Sequence, residues 1–215
     1  MRHTTTARLV SITIGAAALG LPACAAIIDL GGDLKYFGNP PSSLLVGDCE
    51  SSDYAFVFDE QQGVTLLSDL EVDASEPGVY ANWYDLTPAT MPVGTVVNSH
   101  LIHFDPIASG PAYAAGWLTF DQDIVGVMAK WETMDASDDA VAWPDTVYPV
   151  GSKRSFDLSG DDRDAFALSA DMRTLCITMF ANHPLDQLRI ITVPAPAGLV
   201  LLALGGLVNR RRRRS

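Results

Sequence analysis

Residues 54–192 break into short runs of aromatic and branched apolar residues, each stopped by Gly, Pro, Asp or Ser. Such spacing favours strands joined by turns. The four stop residues supply the turn backbone, while aromatic and β-branched side chains fit a pleated surface. Tyr54–Phe58 is one run, followed by a turn at Asp59–Gly63 and a returning strand at Val64–Leu67. Thr95–Phe104 is another, stopped by Asp105 and Pro106. Gly116–Asp121 alternates, with Leu118 and Phe120 on one face and Trp117, Thr119 and Asp121 on the other. Ile124–Lys130 continues after a short break. Ala165–Ser169 and Leu175–Phe180 read as a hairpin around Ala170–Arg173, and Gln187–Thr192 as the last strand. No stretch sustains a helical period over three turns. The irregular parts, 68–90 and 134–153, are interrupted by Pro77, Pro88, Pro144 and Pro149 and read as long loops holding a strand or a short helical turn. The fold this predicts is all-β: a single, jelly-roll-like β-sandwich over residues 26–192.

The two ends differ from this body. Residues 1–8 carry Arg2 and Arg8 and no acid, residues 9–21 are mostly apolar, and Ala23-Cys24-Ala25 gives the small-x-small pattern read by a signal peptidase. Residues 1–25 therefore read as an export signal cut at Ala23 and Ala25. A second reading stands beside it: Leu21-Pro22-Ala23-Cys24 loosely resembles a lipobox, which would make Cys24 the lipid-bearing residue. At the far end, Val193-Pro194-Ala195-Pro196-Ala197 leads into the apolar run 198–208, then Asn209, Arg210, Arg211, Arg212, Arg213 and Arg214. Positive flanks resist translocation and stay in the cytoplasm. The prolines disfavour a helix just outside the apolar run and leave extended backbone there.

This order of parts resembles the PEP-CTERM sorting signal of exported bacterial proteins, which an exosortase reads. The resemblance rests on Val193, Pro194, Pro196, Ala197 and the arginines Arg210 to Arg214; where the family has Glu between the prolines, this chain has Ala195. It implies a transient inner-membrane intermediate held by residues 193–215. Removal of that tail by an exosortase-type enzyme and delivery to the cell surface or extracellular matrix would follow, with exopolysaccharide among the implied partners. The alternative is an unprocessed membrane anchor, although the run from Val193 to Val208 is shorter than the roughly 20 residues of a comfortable span. A second resemblance lies in the body. His100–Pro106, Leu118–Asp121, Ile124–Val127 and Asp186–Thr192 are similar to a recurrent domain of PEP-CTERM proteins, a β-sandwich surface module from which no activity carries over.

All 26 acids lie after residue 25, while only seven of the 14 basic residues fall within 26–193, a formal charge of −19 for that stretch. So acidic a domain repels phosphates, and no nucleic-acid partner is expected. It attracts cations instead. The best candidate is the turn holding Asp157, Asp161, Asp162 and Asp164 around Gly160, whose carboxylates offer oxygen ligands for calcium without the EF-hand spacing. A solvated acidic turn is the competing reading. His100 and His103 sit three apart on a strand and face opposite ways, so they cannot share an ion. His103 and Asp105 share a face but fall short of a zinc site. All three then read as polar residues on a half-exposed strand.

Once residues 1–25 are removed, Cys49 and Cys176 remain, and an exported chain is expected to join them as a disulfide. Two buried free thiols are the alternative. There is no Gly-x-Ser-x-Gly, His-Glu-x-x-His or Gly-x-x-x-x-Gly-Lys, and no nucleophile comes with a base and an orienting group. Neither enzyme activity nor a cofactor is expected. A structural or adhesive role at the surface fits best. A carbohydrate-binding module of the exopolysaccharide layer, stacking sugars on Trp83, Trp131 and Trp143, is the alternative. A secreted hydrolase comes third.

Overall fold

The computed structural model describes residues 25–107, 112–154, 156–159, 164–181 and 185–194. Ala23, Cys24, Asp161, Asp162, His183, Pro196, Ala197 and Arg210 to Arg214 lie outside them. Among the described residues no helix is long and apolar enough to cross a membrane.

Among the described residues strand is the main regular structure. In order come β1 (Ile27–Gly32), β2 (Leu34–Tyr36), β3 (Ala55–Asp59), β4 (Val64–Thr65), β5 (Leu70–Val72), β6 (Gly78–Tyr80) and β7 (Ala89–Met91). There follow β8 (Val96–Phe104), β9 (Ala112–Phe120), β10 (Ile124–Met128), the helix α1 (Trp131–Val141), β11 (Ala165–Leu168), β12 (Thr174–Ala181) and β13 (Asp186–Thr192). One sheet has the order β1-β9-β12-β11-β6, antiparallel throughout. The second runs β10-β13-β8-β3-β2, with β4 also paired to β8, and is antiparallel except between β2 and β3. A small pair, β5-β7, completes the set.

The two large sheets feed one apolar cluster. Leu118 and Phe120 of β9 and Leu175 and Ile177 of β12 enter it from one sheet; Ile102 and Phe104 of β8 and Leu188 and Ile190 of β13 enter from the other. Each such side chain, fully buried, contributes about 1.5–3 kcal/mol. The second sheet is covered on its other face as well. There α1 brings Met134 and Val141 against Val97, Met128 and Ile191, and Leu44 packs beside Phe56, Phe58 and Leu101. All seven residues of β13 are buried in consequence. The five-stranded sheet keeps one face open.

The alternation read at Gly116–Asp121 holds, since Leu118 and Phe120 are fully buried and Trp117 is exposed. The hairpin of β11 and β12 holds too, with Met172 taking a left-handed φ of 56° in its turn.

Three expectations are corrected. The chain does not reverse at Asp59–Gly63. Phe56–Asp59 lies opposite His103–His100, and Val64–Thr65 lies opposite Val97–Val96, so β3 and β4 run on along the same neighbour. Glu60–Gly63 is a bulge between them. Gly63 has φ 67°, and its N–H donates to Asn98 Oδ1 at 2.8 Å. Next, residues 131–141 form a helix where no helical period was visible. Its buried positions are Met134, Ser137 and Val141, and a serine in the middle of the inner face erases the apolar stripe. Last, Cys49 and Cys176 are both free. Cys176 lies on the open face of the five-stranded sheet, whereas Cys49 packs beyond the other sheet, beside the Phe56–Phe58 cluster.

Candidate functional site

No residue of β6, β9, β11 or β12 is charged, although the chain carries 26 acids. Strand alternation sends every second residue of these strands into the core and the rest outward. Across the open face, Val79, Ala167, Cys176, Trp117 and Gly31 form one register row. Small residues floor the middle of the sheet, so Trp117 and Val79 stand at the sides of a trough of about 440 Å³ lined also by Ala115, Ala165 and Thr178. Val79 is 70% exposed and Trp117 41%.

The Trp117 ring is fixed in place. Its Nε1–H donates to Asp29 Oδ2 at 2.9 Å. A Cβ on Gly31 would fall 2.3 Å from Trp117 Cζ2, so the indole lies down over β1 where only glycine leaves room. One side of the ring covers backbone and the other faces out. Beside it the hydroxyls of Thr119 and Thr174 meet at 2.9 Å. Four residues along β9, Tyr113 pairs with Phe180 at a ring distance of 4.6 Å. This face can stack flat apolar surfaces and offer hydroxyls.

The polar groups with more reactive chemistry lie elsewhere and are buried among themselves. Arg189 donates from Nε to Glu60 Oε2 at 2.7 Å and from Nη2 to Glu60 Oε1 at 2.9 Å and Asp138 Oδ1 at 2.8 Å. Its Nη1 donates to Ser137 Oγ at 2.6 Å. Arg154 donates to Asp138 at 2.6 Å, Asp135 at 3.1 Å and Gln187 at 3.0 Å. Gln187 Nε2 in turn donates to His103 Nδ1 at 3.0 Å, and His103 Nε2 donates to the Cys49 carbonyl at 3.1 Å. Both ring nitrogens are thus committed to the neutral form. Burial, aided by the Arg154 charge, holds His103 down at about 4. These groups tie α1 to β13. Removing one partner of such a pair strands the other and costs about 3–5 kcal/mol.

The two histidines do point to opposite faces of β8, but they are fully buried rather than half-exposed, as is Asp105. His100 Nδ1 bonds Asp59 Oδ1 at 2.7 Å, and its ring packs on Phe120 at 4.7 Å. Of the calcium candidates, Asp157 and Asp164 are described. The Asp164 carboxylate accepts from the backbone N–H of Asp157 at 3.1 Å and of Phe180 at 2.5 Å, tying Asp157 to β12. Sequence reading missed their neighbour Asp186, 6% exposed, whose carboxyl is pushed well above the usual range by burial and by the charges of Asp164 and Asp157. Among the described residues no group of three or more His, Cys, Asp or Glu side chains is placed to hold a metal ion.

Trp83, Trp131 and Trp143 are half-buried, and Trp83 packs against the main cluster. The most open tryptophan sits on a strand, not a loop. Its outward direction was legible from alternation; its seat on Gly31 was not. Val193 and Pro194, the first residues of the proline motif, follow the end of β13 at once, and the Val193 N–H donates to the Asp123 carbonyl at 3.2 Å. No family model matches the chain, no curated protein matches it in sequence, and no solved structure matches it in fold.

Proposed function

We propose that this chain is an exported, non-enzymatic β-sandwich protein with a structural or adhesive role at the cell surface or in the extracellular matrix. The outward face of the five-stranded sheet is its contact surface. The observation that carries the reading is the absence of charge on β6, β9, β11 and β12 in a chain of net charge −12. Self-repulsion keeps such a chain soluble, while a face whose only strand charge is Asp29 of β1 is free to adhere. The groups best equipped for chemistry, Glu60, Arg189, Arg154 and Asp138, serve instead to hold α1 on the other sheet. Delivery belongs to the two ends: cleavage after Ala25 and processing near Pro196 by an exosortase-type enzyme.

Intact mass of the protein recovered from producing cells tests this. The expected species lacks residues 1–25 and the Arg210–Arg214 block and is found outside the cytoplasm. A 23.0 kDa full-length chain confined to the cytoplasm would overturn the reading.

A further inference from the structure

We propose that the open face of the five-stranded sheet binds a neutral polysaccharide, with the Trp117 indole as the platform on which a sugar ring stacks. The inference rests on the surface-adhesion reading above and names the ligand of that surface.

Three features point to this ligand class. The first is the ring itself. Trp117 is held by the Asp29 carboxylate and lies in the space that Gly31 leaves free, so its outward side is oriented before any ligand arrives. A fixed ring loses little rotamer freedom on binding, which is how preorganisation raises affinity. The second is shape. Ala115, Ala165 and Ala167 leave a shallow trough without a deep pocket. Protein partners gain most of their affinity from large side chains seated in desolvated pockets, which this floor lacks. An extended chain of flat rings needs only the trough and the platform.

The third feature is charge. The chain's net charge of −12 repels uronic acids, sulfated glycans and anionic lipid headgroups alike. The face carries no basic residue to offset that repulsion. A neutral glycan meets no such barrier. The Thr119–Thr174 pair adds polar partners: one hydroxyl donates to the other, and the second keeps an O–H to donate outward.

The test uses the full chain in a non-ionic, sugar-free detergent, passed over cellulose, chitin and dextran, and over polygalacturonate as the anionic comparison. Retention is expected on at least one neutral matrix and not on polygalacturonate. Trp117→Ala should weaken it about tenfold, the change that 1.4 kcal/mol of lost stacking produces. Gly31→Ala keeps the indole but forces it off its seat, and should weaken retention as well. The backbone of Gly31 lies outside the left-handed region, so this variant does not strain the strand. Trp83→Phe should leave retention unchanged.

Absence of retention on every neutral matrix, retention on polygalacturonate alone, or retention indifferent to both Trp117→Ala and Gly31→Ala would overturn the proposal. So would a dimer in sedimentation that Trp117→Ala dissociates, because a second copy would then occupy the face. Cell fractionation separates the two ideas. Glycan binding by a protein confined to the cytoplasm removes the export reading and leaves the platform standing. An exported protein that binds no glycan removes the platform alone.

Discussion

His103 and Asp186 pull the pH dependence of stability in opposite directions. His103 is neutral in the fold and held at about 4, below its ordinary 6.5. The unfolded chain therefore binds the proton first as pH falls. The stability contributed by neutral His103 is complete above pH 6.5 and is lost down to pH 4, about 3 kcal/mol in all. Thermal melts across that window should show the slope, and His103→Gln should flatten it. Asp186 has the reverse sign. Its folded carboxyl holds its proton more tightly than the unfolded one, so the group costs stability as pH rises above about 4. Among the described residues its Oδ2 has no hydrogen-bond partner. Asp186→Asn should thus raise the urea midpoint at pH 7, equivalent to about 1–3 kcal/mol of unfolding free energy, and change little at pH 3. An unchanged or lower midpoint at pH 7 would mean that the carboxylate is stabilised there. Neither residue was legible as a titrating group in the sequence. Burial decides both shifts, and that burial comes from partners distant in sequence, Gln187 opposite His103 and Asp164 beside Asp186.

At the scale of elements, alternation made β9 and the β11–β12 hairpin legible because each has one face in the core and one outside. It failed for α1, where Ser137 and Asp138 turn towards Arg189 and the inward face is partly polar. It also failed at Glu60–Gly63. The turn-forming residues there were correctly read as a break in the strand, yet a bulge and a reversal use the same residues. Only the partner distinguishes them. Cross-strand NOEs from Val64 are expected to Val97, and NOEs from Val64 to Phe58 would restore the hairpin. Gly63→Ala places a Cβ at φ 67° and should cost about 1–2 kcal/mol in urea unfolding. The candidate face was half legible. Trp117 reads outward from its neighbours, but its seat requires Gly31 to lie opposite it, a pairing across the length of the chain that no local pattern encodes.

At the scale of the whole molecule, the two large sheets differ in what covers them. One is closed by α1 and flanking loops on its second face; the other ends in an open surface whose strands carry a single charge, Asp29 beside Trp117. The even cysteine count and the export signals, which led to a bridge, gave no sense of this geometry, in which both thiols are free. The free thiols are useful for that reason. Cys176 lies in the trough beside Trp117, while the Cys49 thiol is half-buried and pushed up to about 11 by burial and the Asp105 charge. Maleimide labelling of the two in one sample, read by mass, reports directly on whether the face is occupied where the protein works. Cys176 should label rapidly in the purified protein and several-fold more slowly in the cell-surface or matrix fraction, with Cys49 slow in both. Equal Cys176 rates in the two samples would show the face open to solvent in place, and would contradict its assignment as the contact surface.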